Sequence, residues 1–216
     1  MAAPAREKYA VVLRTQGIAE PALGRATAGP EPAPGRWDID VERSRVQVTI
    51  RHALLSKVSA TLSVAHGTIE VGTDPPRWQV RATIDMRSVD SGDPRRDGHL
   101  RSEGYLDVEH FPVASFESSE VTAVERRRWR LSGALTVRDV TRPVVLTAHL
   151  EDLGAVGGRQ RATVVASAEL ERRQFGISWN QALEAGGLLL GPTLSVQLMI
   201  EAWRAESQAA SPSPWQ

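Results

Sequence analysis

Apolar and polar residues alternate with a period of two along much of the chain after Trp37. In five segments the apolar side chains recur at every second position among mostly polar neighbours; these are residues 46–50, 78–86, 129–137, 162–170 and 194–202. Successive side chains of a β-strand point to opposite faces, so this pattern is typical of strands with one buried face. The sequence therefore predicts a set of half-buried antiparallel strands.

The apolar faces of these strands have to be buried against one another or against a second layer. The strands are about eight to eleven residues long and are joined by short turns such as "VERS", "RDVT" and "GAVGGR". Long strands with short connections favour a closed barrel over a sandwich, and we predict an all-β, antiparallel barrel of about eight strands. Five predicted inward positions carry small residues, which leave room for one slim ligand: Ala82, Gly133, Ala162, Ala166 and Ala168. A barrel filled by its own side chains is the alternative.

The stretch "PRRDGHLRSEGYLDVEHFP", residues 94–112, interrupts the strands and is here called the lid. Asp93 followed by Pro94 is a typical helix start, because the carboxylate can cap free amides and proline suits the first turn. Glycines at 98 and 104 and the proline at 112 limit the helix to a short one. We predict that apolar lid residues face the barrel, namely Leu100, Tyr105, Leu106, Val108 and Phe111. The charged ones are predicted to face water: Arg95, Arg96, Arg101, Glu103 and Glu109.

The two ends of the chain differ in composition from the alternating part. Residues 1–35 hold five of the thirteen prolines and are predicted to be a flexible leader, and the small, polar residues 205–216 a disordered tail. A single domain over residues 36–204 remains. The apolar run near the N-terminus is too short for a secretory signal, and the uncharged run 185–200 is too short and contains a proline, so we expect a cytoplasmic protein without a membrane span.

Charge and cysteine content exclude several function classes. Basic and acidic residues balance at 26 each, which gives no electrostatic basis for binding nucleic acid. The chain contains no cysteine, so disulfides, thiolate catalysis and cysteine-containing metal sites are excluded. We predict no cofactor.

Several segments, in order, resemble the YceI-like family of lipocalin-like barrels that bind polyisoprenoids. They are "WDIDVERSRVQVTIRH" from Trp37, "IDMRSVDSG" from Ile84, "RRDGHLRSEGYLDVEHFPVASFES" from Arg95, "GALTVRDVTRPVVL" from Gly133 and "ERRQFGI" from Glu171. The resemblance implies a lipocalin-like barrel that holds an apolar chain. In the turn where the family usually has glycine, this chain has Asp139, which tolerates turn geometry better than most residues.

The residues offer two classes of function. In the first, the barrel is a non-catalytic carrier or buffer for an isoprenoid, quinone or fatty acyl compound, and a homodimer is left open. The predicted ligand-binding residues are Val48, Ile50, His52, Val80, Ile84, Leu106, Phe111, Leu131, Leu135, Val164 and Leu198. In the second, it is an enzyme acting on such a lipid, with Asp97, His99 and His52 as acid or base groups.

No paired nucleophile and base motif occurs in the sequence, which favours the carrier. A metal site formed by Asp97, His99 and His110 is a less favoured alternative, and we predict no metal. Asp97 and His99 are instead expected to fix the lid through hydrogen bonds to backbone or arginine groups.

Overall fold

The computed structural model describes residues 31–52, 56–177 and 190–206. Most of the predicted leader and most of the predicted tail lie outside the described residues. Residues 31–34, which belong to the predicted leader 1–35, contact the domain: the carbonyl of Ala33 accepts a hydrogen bond from Trp37 Nε1 (3.0 Å), and that of Pro34 accepts one from Arg204 (2.8 Å).

The described residues form nine strands and one α-helix, with two short 3-10 helices at Pro75–Arg77 and Arg172–Phe175. The helix, α1, is Pro94–Arg101 and lies in the lid. The strands are β1 (Gly35–Ile39), β2 (Arg45–His52), β3 (Ser56–Val71), β4 (Gln79–Asp90), β5 (Val113–Glu125), β6 (Arg128–Val137), β7 (Val140–Val156), β8 (Arg159–Glu171) and β9 (Leu190–Arg204).

All strand pairs are antiparallel, and the sheet closes on itself. The order β3-β2-β9-β8-β7-β6-β5-β4 returns to β3, so that every position of the ring has a neighbour on both sides. Strands β1 and β2 share one position, because both pair with β3 on one side and β9 on the other. The predicted closed barrel of about eight strands is confirmed, as an eight-position ring in which one strand is broken.

Residues 40–44 form the break between β1 and β2. Asp40 Oδ1 accepts hydrogen bonds from the backbone amides of Glu42 (3.1 Å) and Arg43 (3.3 Å), which turns the chain. The fully buried Ser44 hydroxyl accepts a hydrogen bond from the backbone N–H of Glu201 on β9 (3.1 Å). A side-chain hydroxyl thus accepts the hydrogen bond of a β9 backbone amide at the point where the neighbouring strand is interrupted.

The tight turns lie between long strands, as the sequence predicts. Gly157 and Gly158 both have positive φ (59° and 83°), which suits the two-residue turn between β7 and β8. In the turn between β6 and β7 the left-handed residue is Arg138 (φ 56°), not the Asp139 that the sequence suggested. The hairpin is intact, with Val137 opposite Val140. Strands β3 and β7 have 16 and 17 residues, longer than predicted, and both contain register shifts.

Gly133 is the one small inward residue whose space is already taken. A Cβ at this position would lie 2.7 Å from ring carbons of Phe116 on β5. The missing side chain therefore admits the phenyl ring and provides no room for a ligand. In the part of the chain that the structure describes, no helix is long and apolar enough to cross a membrane.

Candidate functional site: the barrel cavity

A cavity of about 570 Å³ runs through the interior of the barrel, within the size range typical of ligand pockets. Its wall on β8 extends from Ala162 to Leu170, which is about 26 Å along the strand and about 20 Å along the axis at the usual tilt of such barrels. Four of the five small inward residues line it: Ala82, Ala162, Ala166 and Ala168. The barrel is therefore hollow, and these alanines face the space.

Nine of the eleven predicted ligand-binding residues lie in the cavity wall: Val48, Ile50, Val80, Ile84, Leu106, Leu131, Leu135, Val164 and Leu198. Contact of these residues with a ligand stays a prediction. Phe111 is not part of the wall; it is half-buried, and the Arg138 guanidinium lies over its ring at 5.7 Å. His52 ends β2, where its backbone pairs with Ser56 and Leu190, and its side chain lies outside the described part of the structure.

Tryptophan side chains occupy one end of the cavity, which we call the tryptophan end. Trp78 and Trp129 pack at 5.0 Å between ring centroids, and Trp37 is 1% exposed. The indole N–H of Trp78 donates to the carbonyl of Gly72 (3.1 Å), and that of Trp37 to Ala33. Since these polar groups are satisfied by backbone, the rings present apolar surface to the cavity.

The lid lies at the opposite end, which we call the lid end. Asp93 caps α1 as predicted, accepting hydrogen bonds from the backbone amides of Arg95 (3.0 Å) and Arg96 (3.3 Å). Leu100, Tyr105 and Leu106 line the cavity, and Val108 is buried in the adjoining core. Thus four of the five apolar lid residues pack as the sequence predicts, with Phe111 the exception.

Two of the charged lid residues, Arg96 and Arg101, are only partly exposed and bind groups of the protein. The Arg96 side chain is half-buried in the cavity wall, donating to the hydroxyl (2.8 Å) and carbonyl (2.9 Å) of Ser91. The Arg101 guanidinium donates to the carbonyls of Arg87 (3.0 Å) and Val89 (2.6 Å) on β4. The prediction that both side chains simply face water is wrong, because the C-terminal end of β4 and the following Ser91 offer oxygen atoms that accept hydrogen bonds from the guanidinium groups. Arg95, Glu103 and Glu109 are exposed.

Asp97 holds the start of the lid, as the sequence predicts. It is buried, and its Oδ1 accepts hydrogen bonds from the Ser91 amide (2.9 Å) and hydroxyl. Burial alone would raise the pKa of Asp97, but the bonds from Ser91 and the charges of Arg101 and Arg96 outweigh it, so the pKa is lowered. A carboxylate held in this way is a weak base.

The lid histidines do not form a metal site. His110 Nδ1 lies 2.9 Å from Asp107 Oδ1, and this hydrogen bond, with the charge of the carboxylate, raises the pKa of His110 above its usual value. His99 is exposed and lines the cavity at the lid end. Among the residues that the structure describes, no three His, Asp or Glu side chains are grouped so that they could hold a metal ion, and Asp97, His99 and His110 are no exception.

Arg172 is a wall residue that the sequence reasoning missed. It lies in the 3-10 helix after β8, within the "ERRQFGI" segment, and is 2% exposed. Its guanidinium donates to the carbonyls of Gly191 (3.0 Å) and Ile177 (2.9 Å). This segment resembles the corresponding segment of the YceI-like family. Because arginine is rarely buried, however, the sequence does not indicate that the Arg172 side chain reaches the cavity.

Comparison with known proteins agrees with this architecture. The model of the YceI-like domain matches residues 37–202. A UPF0312 protein of Photorhabdus laumondii is 32% identical over 140 residues, 64% of this chain and 72% of its own length. One of Staphylococcus aureus is 26% identical over 168 residues, 76% of this chain and 95% of its own length.

Among solved structures, Burkholderia cenocepacia BcnA is similar with a TM-score of 0.63 and 17% identity, over 76% of this chain and 99% of that one. A polyisoprenoid-binding domain from Saccharophagus degradans, implicated in plant cell wall breakdown, has a TM-score of 0.57 and 13% identity, over 78% of this chain and 98% of that one. Since the family model covers most of the chain, the protein belongs to the YceI-like domain family.

Proposed function

We propose that the protein binds one long-chain amphiphile of the isoprenoid, quinone or fatty acyl type inside the barrel, as a non-catalytic carrier or buffer. The observation that carries this proposal is the cavity of about 570 Å³, whose wall is almost entirely aliphatic and aromatic. The similarity in fold to a polyisoprenoid-binding domain supports the same class of ligand.

The energetics favour an apolar chain. Each buried methylene contributes about 0.8 kcal/mol, so ten of them contribute about 8 kcal/mol before the costs of association are subtracted. A slim chain fits a long and narrow space better than a compact ligand does. The alanines at positions 82, 162, 166 and 168 support this, because they widen the wall along the axis without adding polar groups.

The competing function is an enzyme that uses Asp97, His99 and His52 as acid or base groups. The hydrogen bonds from Ser91 and the lowered pKa of Asp97 weigh against it, since a general base needs a pKa close to the working pH. The guanidinium groups of Arg96 and Arg101, which are near Asp97 and donate hydrogen bonds to backbone carbonyls, are suited to holding the lid in place.

Gentle purification of the full chain, followed by solvent extraction and mass spectrometry, tests the proposal. We expect about one equivalent of a long-chain amphiphile in the extract. Protein from lipid-rich cells that yields no stoichiometric lipid, and that takes up none when it is offered, would contradict the carrier function. A chemically altered lipid that accumulates with time would favour the enzyme.

A further inference from the structure

Residues 31–34, which we call the strap, lie at the tryptophan end of the cavity. They precede β1 and also residue 37, where the match to the YceI-like domain begins. Pro32 nevertheless belongs to the cavity wall, together with Trp37 and Trp78. A segment that precedes the matched domain therefore contributes to the wall of the cavity.

Two hydrogen bonds and one backbone turn hold the strap in this place. The indole N–H of Trp37 donates to the carbonyl of Ala33 (3.0 Å), and Arg204 Nη2 donates to that of Pro34 (2.8 Å). Trp37 is 1% exposed and Arg204 ends β9, so both donors belong to the barrel itself. Gly35 has a φ of 126°, which residues with a side chain rarely adopt, and it lets the chain turn between the strap and β1.

The prolines of the strap suit it to an apolar cavity. Pro32 is half-buried and has no backbone N–H, so it presents hydrocarbon to the cavity without an unsatisfied donor. Each proline also fixes its own φ and restricts the residue before it, here Glu31 and Ala33, to extended conformations. Because these restraints already act in the unfolded chain, less conformational entropy is lost when the strap is ordered on the barrel.

We propose that the strap closes the tryptophan end of the cavity, and that Pro32 is a specificity-determining residue that limits how long a chain the cavity accepts. The chain of a bound ligand would extend along the alanine-lined wall until its end meets the ring of Pro32. This inference rests on the proposed function and narrows it, since it selects amphiphiles by the length of the apolar chain.

A series of saturated fatty acids, from laurate to arachidate, tests the length limit. Calorimetric titration of delipidated full-length protein measures the affinity for each acid. We expect the affinity to rise about fourfold for every added methylene that enters the cavity, and to stop rising at the length at which the chain reaches the strap. An affinity that rises without a break through the whole series would overturn the length limit alone. Binding of none of the acids would overturn it together with the proposed function.

A matched pair of variants assigns the limit to Pro32. Pro32→Gly removes the three ring methylenes and leaves space for about as many in the ligand, so the affinity for the first acid beyond the limit should rise about tenfold. Pro34→Gly makes the same change at an exposed residue that is not part of the wall, and the limit should stay where it is. A limit that is the same in Pro32→Gly as in the wild-type protein would contradict the role of Pro32.

Thiol labelling gives a second, independent measurement. The chain contains no cysteine, so Pro32→Cys carries a single thiol. Its reaction with a water-soluble maleimide should be several-fold slower in the presence of the longest acid that binds than in the empty protein. Val156→Cys, at a position that is 54% exposed near the end of β7, should react at the same rate in both states. Equal rates for Pro32→Cys with and without the acid would show that a bound chain does not reach the strap, and would overturn the inference.

Discussion

Ala168 offers a direct way to fill the cavity from within. It lies on β8 opposite Val196 of β9, and both residues line the space. It is only half-buried although its side chain faces inward. The substitution Ala168→Leu would add three carbons to a region where a ligand chain is proposed to lie.

The substitution should have opposite effects on the empty and the loaded protein. Without ligand, three added carbons bury apolar surface worth up to about 2.4 kcal/mol, so the free energy of unfolding should rise. With ligand, the chain loses space for about three methylenes, and its affinity should fall by a similar free energy, about fiftyfold. A merely damaging substitution would lower both quantities.

Urea unfolding of delipidated protein and calorimetric titration with palmitate measure the two effects. Ser167→Leu is the matched control, because residue 167 precedes it on the same strand and is exposed. The control should change neither quantity appreciably. If Ala168→Leu leaves the affinity for palmitate unchanged while the protein remains folded, the chain does not occupy this part of the cavity and the reasoning fails.

Three further predictions concern the lid and the packing of the barrel. Asp97→Asn should lower the free energy of unfolding by about 1 kcal/mol at neutral pH. Because folding lowers the pKa of Asp97, this difference between the wild-type protein and the variant should persist above pH 3.8 and disappear as the pH falls below that value. Urea titrations at several pH values measure it. The pKa of His110, measured by NMR, should lie above 6.5 and should return towards 6.5 in the variant Asp107→Asn. The stabilisation from the His110–Asp107 pair is full below pH 6.5 and is lost as the pH rises through the raised pKa of His110. Gly133→Ala should cost about 1–3 kcal/mol by overpacking, whereas Gly154→Ala, which has no atom within 4 Å of the added carbon, should cost far less in the same unfolding assay.

The faces of the strands could be predicted because their cause is local. Alternation with a period of two determines which side chains share a face, and the inward residues of β8 and β9 follow it without exception from Ala162 to Leu170 and from Leu194 to Ala202. The start of α1 could be predicted for the same reason, since the carboxylate of Asp93 and the amides that it caps are only two or three residues apart in sequence.

What the sequence could not reveal depends on register and on distant partners. Gly133 reads as empty space, but its opposite residue is Ser118, and this register brings the ring of Phe116 diagonally over it. Arginine is a residue type usually found at the surface, and only the fold brings the carbonyls of Ile177 and Gly191 to the guanidinium of Arg172. Neither arrangement can be predicted from the residues adjacent in sequence.

The closed sheet also bears on how a ligand enters and leaves. Each strand is hydrogen-bonded on both sides, so passage through the wall would require several ladder bonds to break together. The tryptophan end is packed by Trp37, Trp78 and Trp129. The lid, in contrast, is held to the barrel by a few side-chain bonds, among them those of Asp97 and Arg101. We therefore expect the ligand to enter and leave at the lid end, where fewer bonds have to break than in the wall of the barrel.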